Sequence, residues 1–166
     1  MKRSFLPPTA PLLREIAAQV DTFSTDELQV LVDDMFETMR KGGGVGLAAP
    51  QIGVGLRVIV FEFLGDEERA PGVLPVPPTV LINPVITQYD GQEEGREGCF
   101  SVPGYIGVVV RHTSITYVAQ DIDGRTLEGR AAGFHARLIQ HEIDHLNGVL
   151  YTDIAKDISP YEHEPE

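Results

Sequence analysis

The chain is predicted to adopt an α+β fold, on three observations. A capped amphipathic helix lies near the N-terminus, a middle rich in β-branched residues is punctuated by a hairpin turn, and a second helical stretch runs from Gly133 toward Gly148. Helix, then strands, then helix reads as segregated α+β and not as an alternating α/β chain.

The elements follow in order. Ser24-Thr25-Asp26-Glu27 has the form of a capping box, and Leu28, Leu31, Val32, Met35, Phe36 and Met39 follow at spacings of three and four. Lys41 and Gly42 close that helix. Gly65 to Gly72, followed by Pro75, Pro77 and Pro78, reads as a long solvated loop. Residues 57–63, 80–86, 107–111, 114–120 and 126–132 are rich in β-branched side chains, and Asp123-Gly124 supplies a turn between the last two, so the middle is a mostly antiparallel sheet. The last helix starts after Gly133 and ends at Gly148, with Phe134, Leu138, His141, Ile143 and His145 as inward candidates.

Composition bounds the function. A length of 166 residues is that of one domain, and it buries roughly two thirds of its unfolded surface without staples. Cys99 is the only cysteine, which excludes an internal disulfide. No apolar run approaches the ~20 residues of a membrane span, and residues 1–8 lack the apolar stretch of a signal peptide, so a cytoplasmic location, or an organelle interior after processing, is expected. A net charge of −12 opposes binding to nucleic-acid backbones or anionic lipid, since no cluster of Lys and Arg is available to release counterions.

His141-Glu142-Ile143-Asp144-His145 is an H-E-x-x-H pentad lying where the pattern already demands a helix. Positions i and i+4 sit one above the other, so both imidazoles can reach one metal ion while Glu142, on an adjacent face, can reach a water at that ion. A lone buried histidine is more often a core residue bonded to backbone; the whole pentad on a helix favours a metal. A catalytic metal commonly has three protein ligands and an open position. After His145 the only candidates for the third are Glu162, His163, Glu164 and Glu166; upstream, Glu97-Gly98-Cys99-Phe100-Ser101 offers a thiol beside a glycine that lets backbone approach. Beside an incomplete His-His site, the ligand reading of Cys99 outweighs that of a small buried apolar side chain.

Gly44-Val45-Gly46-Leu47-Ala48-Ala49-Pro50-Gln51 loosely mimics a dinucleotide fingerprint in the wrong context, because a helix precedes it and Pro50 falls where the next helix should begin. It reads better as a close-packed segment that brings backbone amides and the Gln51 carboxamide to a substrate.

Taken in order, Gly44 to Gln51, Glu97 to Ser101 and His141 to His145 resemble the three signature motifs of the peptide deformylases, and the surrounding helices and strands resemble that family's layout over nearly the whole chain. The resemblance implies a single catalytic domain over residues 1–166, with sheets packed around a central C-terminal helix, that removes the N-formyl group from the N-terminal methionine of newly made proteins. It implies that Cys99, His141 and His145 hold one divalent metal, Fe(II) with Zn, Ni or Co as substitutes, and that Glu142 exchanges protons with the water and the leaving amine. Gln51 and the Phe100 backbone N–H would polarise the formyl carbonyl, and Gly46 would bond the peptide. Position 100 is Phe where that family usually has Leu. Counting back from His141 by three, four and seven gives Leu138, Arg137 and Phe134, a face suited to an unbranched apolar side chain, with the Arg137 stem contributing and its guanidinium at the rim.

N-formyl-methionyl nascent peptides are the implied partners of a monomer. Some bacterial relatives dock on the ribosome through a basic C-terminal helix, which the acidic tail here, with Lys156 as its one base, does not supply. Two other readings compete. A zinc endopeptidase with its third ligand in the tail leaves the Cys99 motif unexplained. A purely structural metal normally needs a fourth protein ligand, and His112, His135 and His163 are poorly placed to be one.

Overall fold

The computed structural model describes residues 1–68 and 70–161. Its first long element is helix α1, Asp26–Lys41. The cap is Thr25, whose hydroxyl accepts from Leu28 N at 3.1 Å. This shifts the expected capping box by one residue: Ser24 stands outside the helix at φ 56° and donates to Asp123 instead. Gly42 ends α1 as expected.

Among the described residues, eight strands follow that helix: β1 Gly46–Ala48, β2 Val58–Phe63, β3 Val76–Asp90, β4 Glu93–Cys99, β5 Val102–Arg111, β6 Ser114–Gln120, β7 Thr126–Ala132 and β8 Lys156–Pro160. They form two antiparallel sheets, a five-stranded one in the order β1-β2-β3-β6-β7 and a three-stranded one in the order β4-β5-β8. Strand β3 serves two partners. It pairs with β2 up to Ile82 and with β6 from Ile82 onward. The irregularity at Asn83 allows the change: this residue has φ 51°, and its carboxamide bonds Val20 and Gln120. Pro77 and Pro78, expected in a loop, belong to β3, where β6 does not yet pair and a missing N–H costs no ladder bond.

Helix α2, Gly133–Leu146, closes the fold, with nine of its 14 residues buried. Helices α1 and α2 lie on opposite faces of the five-stranded sheet, as the alternation along β2 requires. Ile59, Phe61 and Phe63 pack with Ile139, Ile143 and Leu146 of α2, whereas Val58 and Val60 pack with Leu31, Met35 and Met39 of α1. The other side of α2 meets the three-stranded sheet, through the Gln140 carboxamide bonded to both backbone groups of His112 and through Asp144 paired with Arg111. That burial on two sides makes α2 central. Residues 156–160 form the edge strand β8 on β5. No described helix is long and apolar enough to cross a membrane.

Candidate active site

Three segments converge on one point. Strand β4 ends in an irregularity between Glu97 and Cys99, with Cys99 paired directly to Val102, so the backbone turns at Gly98 and re-aims the thiol. A side chain at position 98 would press within 3.1 Å of the Tyr105 carbonyl. Helix α2 supplies His141 and His145 one turn apart. One ligand atom from each of Cys99, His141 and His145 can be chosen so that all lie within 4.8 Å of one another, and no other such trio of His, Cys, Asp or Glu occurs among the described residues.

The donor set suits a cation. The Nε2 atoms of His141 and His145 face each other at 3.3 Å. His141 Nδ1 lies 2.7 Å from Glu97 Oε1, an acceptor that holds a proton on Nδ1 and leaves Nε2 as the ring atom turned toward His145. Burial lowers the His141 pKa, but Cys99 and Glu97 outweigh it and raise it to about 10. Burial, and then His141 itself, push His145 well below its ordinary value. Both rings cannot be protonated together, so the site is built around one centre of positive charge, a place that a divalent ion held by two imidazoles and a thiolate fits.

Glu97 anchors this arrangement. Arg111 bonds its carboxylate twice, at 2.8 and 2.9 Å, and Arg137 Nη1 bonds it at 2.7 Å. Burial alone would raise the Glu97 pKa; the hydrogen bonds from Arg111 and His141 outweigh that and hold it well below the usual carboxylate range. Tyr151 stacks on His141 with ring centroids 6.2 Å apart, and its hydroxyl donates to the Tyr105 carbonyl.

Glu142 is buried beside the trio, with Oε1 3.8 Å from His141 Nε2 and Oε2 buried without a partner. Burial, against the opposing pull of His141, pushes its carboxyl up to about 7. Strand β1 lies across it: a Cβ at Gly46 would come within 3.1 Å of Glu142 Oε1 and 2.8 Å of Leu138 Cδ1, so only glycine lets this backbone approach. The short 3₁₀ turn Ala49–Ile52 then carries Gln51, which is fully buried. Its Oε1 accepts from Ala48 N at 2.9 Å and its Nε2 donates to Ser101 Oγ at 3.1 Å, leaving one amide hydrogen free.

Cys99, His141, Glu142, Gly46 and Gln51 line a cavity of about 520 Å³, together with Val45, Phe100, Phe134, Arg137 and Leu138. Phe134 and Leu138 belong at once to the cavity wall and to the core, Phe134 tilting against Phe63 at 5.1 Å. Arg137 departs from expectation. Its guanidinium is not at the rim but tucked against β4 and β5, bonded to Glu97 and to the carbonyls of Val109 and Glu93. Gly95 makes room for it, since a Cβ there would sit 2.7 Å from Arg137 Cζ. A buried carboxylate attracts the charge that hydration would otherwise keep at the surface.

The other histidines stand apart. His135 packs on Phe61, His112 packs on Tyr89, and His163 lies outside the described residues, as do Glu162, Glu164 and Glu166. Glu97, Ser101, Arg111 and Tyr151 were not singled out for roles from sequence. The one available signal was Arg111, a charge closing the apolar run Val108-Val109-Val110.

The family profile of polypeptide deformylase matches residues 3–160. The chain is 49% identical over 152 residues to peptide deformylase 2 of Bordetella bronchiseptica, covering 91% of this chain and 86% of that protein. It is 51% identical over 142 residues to peptide deformylase 2 of Pseudomonas syringae pv. tomato, covering 85% and 79%. A crystal structure of a peptide deformylase from Legionella pneumophila superposes with a TM-score of 0.84 at 42% identity, covering 95% of this chain and 88% of that one. A Met-Ala-Ser-bound class I type b peptide deformylase from Acinetobacter baumannii gives 0.88 at 33% identity, covering 93% and 98%. The chain belongs to the polypeptide deformylase family.

Proposed function

We propose that this chain hydrolyses the formamide at the N-terminus of formyl-methionyl nascent peptides, releasing formate, with Cys99, His141 and His145 holding one divalent metal, Fe(II) in the native protein. The observation that carries the reading is the unpartnered Glu142 carboxylate oxygen buried beside the Cys-His-His trio in a peptide-sized cavity. When bound, the ion acts as a Lewis acid that lowers the pKa of water and polarises a carbonyl.

The chain's own residues do the rest. Glu142, with a pKa raised to about 7, takes a proton from the attacking water. As the water oxygen bonds to the formyl carbon, negative charge grows on the carbonyl oxygen, and the free Gln51 amide hydrogen and the Phe100 N–H receive it; removing one such donor typically costs about 3 kcal/mol. The C–N bond then breaks, and Glu142 returns the proton to the departing amine. Gly46 offers backbone hydrogen bonds to the peptide, while Phe134, Leu138 and the Arg137 stem form the apolar wall for the methionine side chain. The Met-Ala-Ser peptide held by the Acinetobacter relative has the sequence such a site would release.

The family resemblance supports iron, and the Cys99 thiolate would donate more charge than a carboxylate ligand and leave a bound ion a weaker acid toward water. Fe(II) held there would be open to oxidation by O2, and the Cys99 thiolate would be exposed to the products. The test is to load apo-protein anaerobically with Fe(II), Ni(II), Co(II) or Zn(II), supply N-formyl-methionyl peptide, measure formate, and then admit air. Fe(II), Ni(II) and Co(II) protein should outrun zinc protein, and iron protein alone should lose activity in air. No formate with any metal overturns the function; zinc as fast as iron, or iron indifferent to air, overturns the metal assignment.

A further inference from the structure

The two groups offered to the formyl oxygen sit on different elements, and one short segment touches both. Leu6 N donates to the Gln51 carbonyl at 2.8 Å. The Phe5 ring stacks on Phe100 with centroids 4.3 Å apart and planes 9° apart. The segment is moored to α1, where Arg3 N donates to Thr38 Oγ1 at 2.8 Å and Arg3 Nε to Asp34 Oδ2 at 2.9 Å.

Phe100 needs such an anchor. Cys99 pairs with Val102, so Phe100 and Ser101 form the tip of the β4–β5 hairpin, where no ladder bond to a neighbouring strand fixes the direction of the Phe100 N–H. Its side chain is held instead. A Cβ at Gly42 or Gly44 would fall 2.6 or 2.1 Å from the Phe100 ring, so those glycines form a cradle on one side of the ring, and Phe5 stacks on it as well. Phe5 and Phe100 both line the cavity.

We propose that residues 3–6 form a strap that aligns the two oxyanion donors, Leu6 through the Gln51 turn and Phe5 through the Phe100 ring, and that Phe5 is a positioning residue. The proposal rests on the hydrolytic reading above, in which Gln51 and the Phe100 N–H meet the formyl oxygen. A donor displaced by a fraction of an ångström loses most of its preference for the transition state, whereas ground-state binding of the peptide through Gly46 and the apolar wall is unaffected. The strap therefore acts on kcat and not on KM.

The experiment is steady-state deformylation of an N-formyl-methionyl peptide by metal-loaded wild type, Phe5→Ala, Phe5→Leu, Phe100→Ala and the double alanine variant, with metal content and circular dichroism recorded for each. Phe5→Ala should lower kcat about tenfold with KM within about twofold, and Phe5→Leu, which keeps apolar contact with the ring, should lower it about threefold. Because Phe5 acts through Phe100, the double variant should be no slower than the slower single one. If Phe5→Ala fails to fold, Phe5→Leu carries the comparison. Wild-type kcat in the Phe5 variants, a rise in KM alone, or losses that multiply in the double variant would overturn the strap. Absence of formate from the wild-type holoenzyme would instead overturn the hydrolytic reading, and the strap with it.

Discussion

Glu142 shows how one residue's surroundings set its chemistry. The carboxylate lies beside His141 and the bare backbone of Gly46, and burial there pushes it up to about 7. It is proposed to carry protons and no metal bond, so Glu142→Ala should keep its metal and lose roughly 10²- to 10⁴-fold in kcat. Metal analysis beside formate release checks this; loss of the metal with activity restored on reloading would make Glu142 structural. Most of the proposed site could be read at this scale, because H-E-x-x-H and Glu97 to Ser101 are local patterns. Arg137 could not: helical spacing put its Cα on the right face, but the buried carboxylate that draws its guanidinium inward comes from a strand 40 residues away.

At the scale of elements, α1 and β2 are tied by Arg40 and Glu62. Arg40 bonds both oxygens of the buried Glu62 carboxylate, at 2.6 and 3.0 Å, and lies over the Phe36 ring at 5.0 Å. Glu62 N in turn donates to the Val45 carbonyl beside Gly46, so the pair supports the segment that faces the substrate. The hydrogen bonds from Arg40 hold the Glu62 pKa below its ordinary 4.5. A carboxyl depressed on folding stabilises the protein above its unfolded pKa and loses that contribution as pH falls through the folded value. Arg40→Met should therefore cost about 1–3 kcal/mol at pH 7, as a buried acceptor loses its partner, and the gap to wild type should narrow below about pH 4.5. Urea unfolding at pH 7 and pH 4 measures both; an equal gap at the two pH values would refute the coupling. The helices and the β6–β7 hairpin were legible at this scale because caps, spacing and turn residues are local signals. Strands β1, β4 and β8 were not. Glu93–Cys99 has no β-branched residue, and Lys156–Pro160 becomes a strand only because β5 lies beside it.

Over the whole molecule, the α+β class follows from the order of elements and the central last helix from the family resemblance, but the convergence of the site is a tertiary product. Cys99 comes from the three-stranded sheet, His141 and His145 from the helix between the two sheets, and Gln51 from a turn beyond the edge strand of the other sheet. Nothing in their spacing along the chain dictates that meeting; the two sheets packing against α2 create it.

That convergence is tested most directly by counting metal ions per chain in anaerobically loaded wild type and Cys99→Ala, with circular dichroism to show that both are folded. Since the chain has a core of its own, losing the ligand should spare the fold, unlike the case of a zinc finger. Wild type should hold one ion per chain and Cys99→Ala should retain none after desalting. A folded Cys99→Ala protein that keeps a full complement of metal would contradict the assignment of the centre to Cys99, His141 and His145.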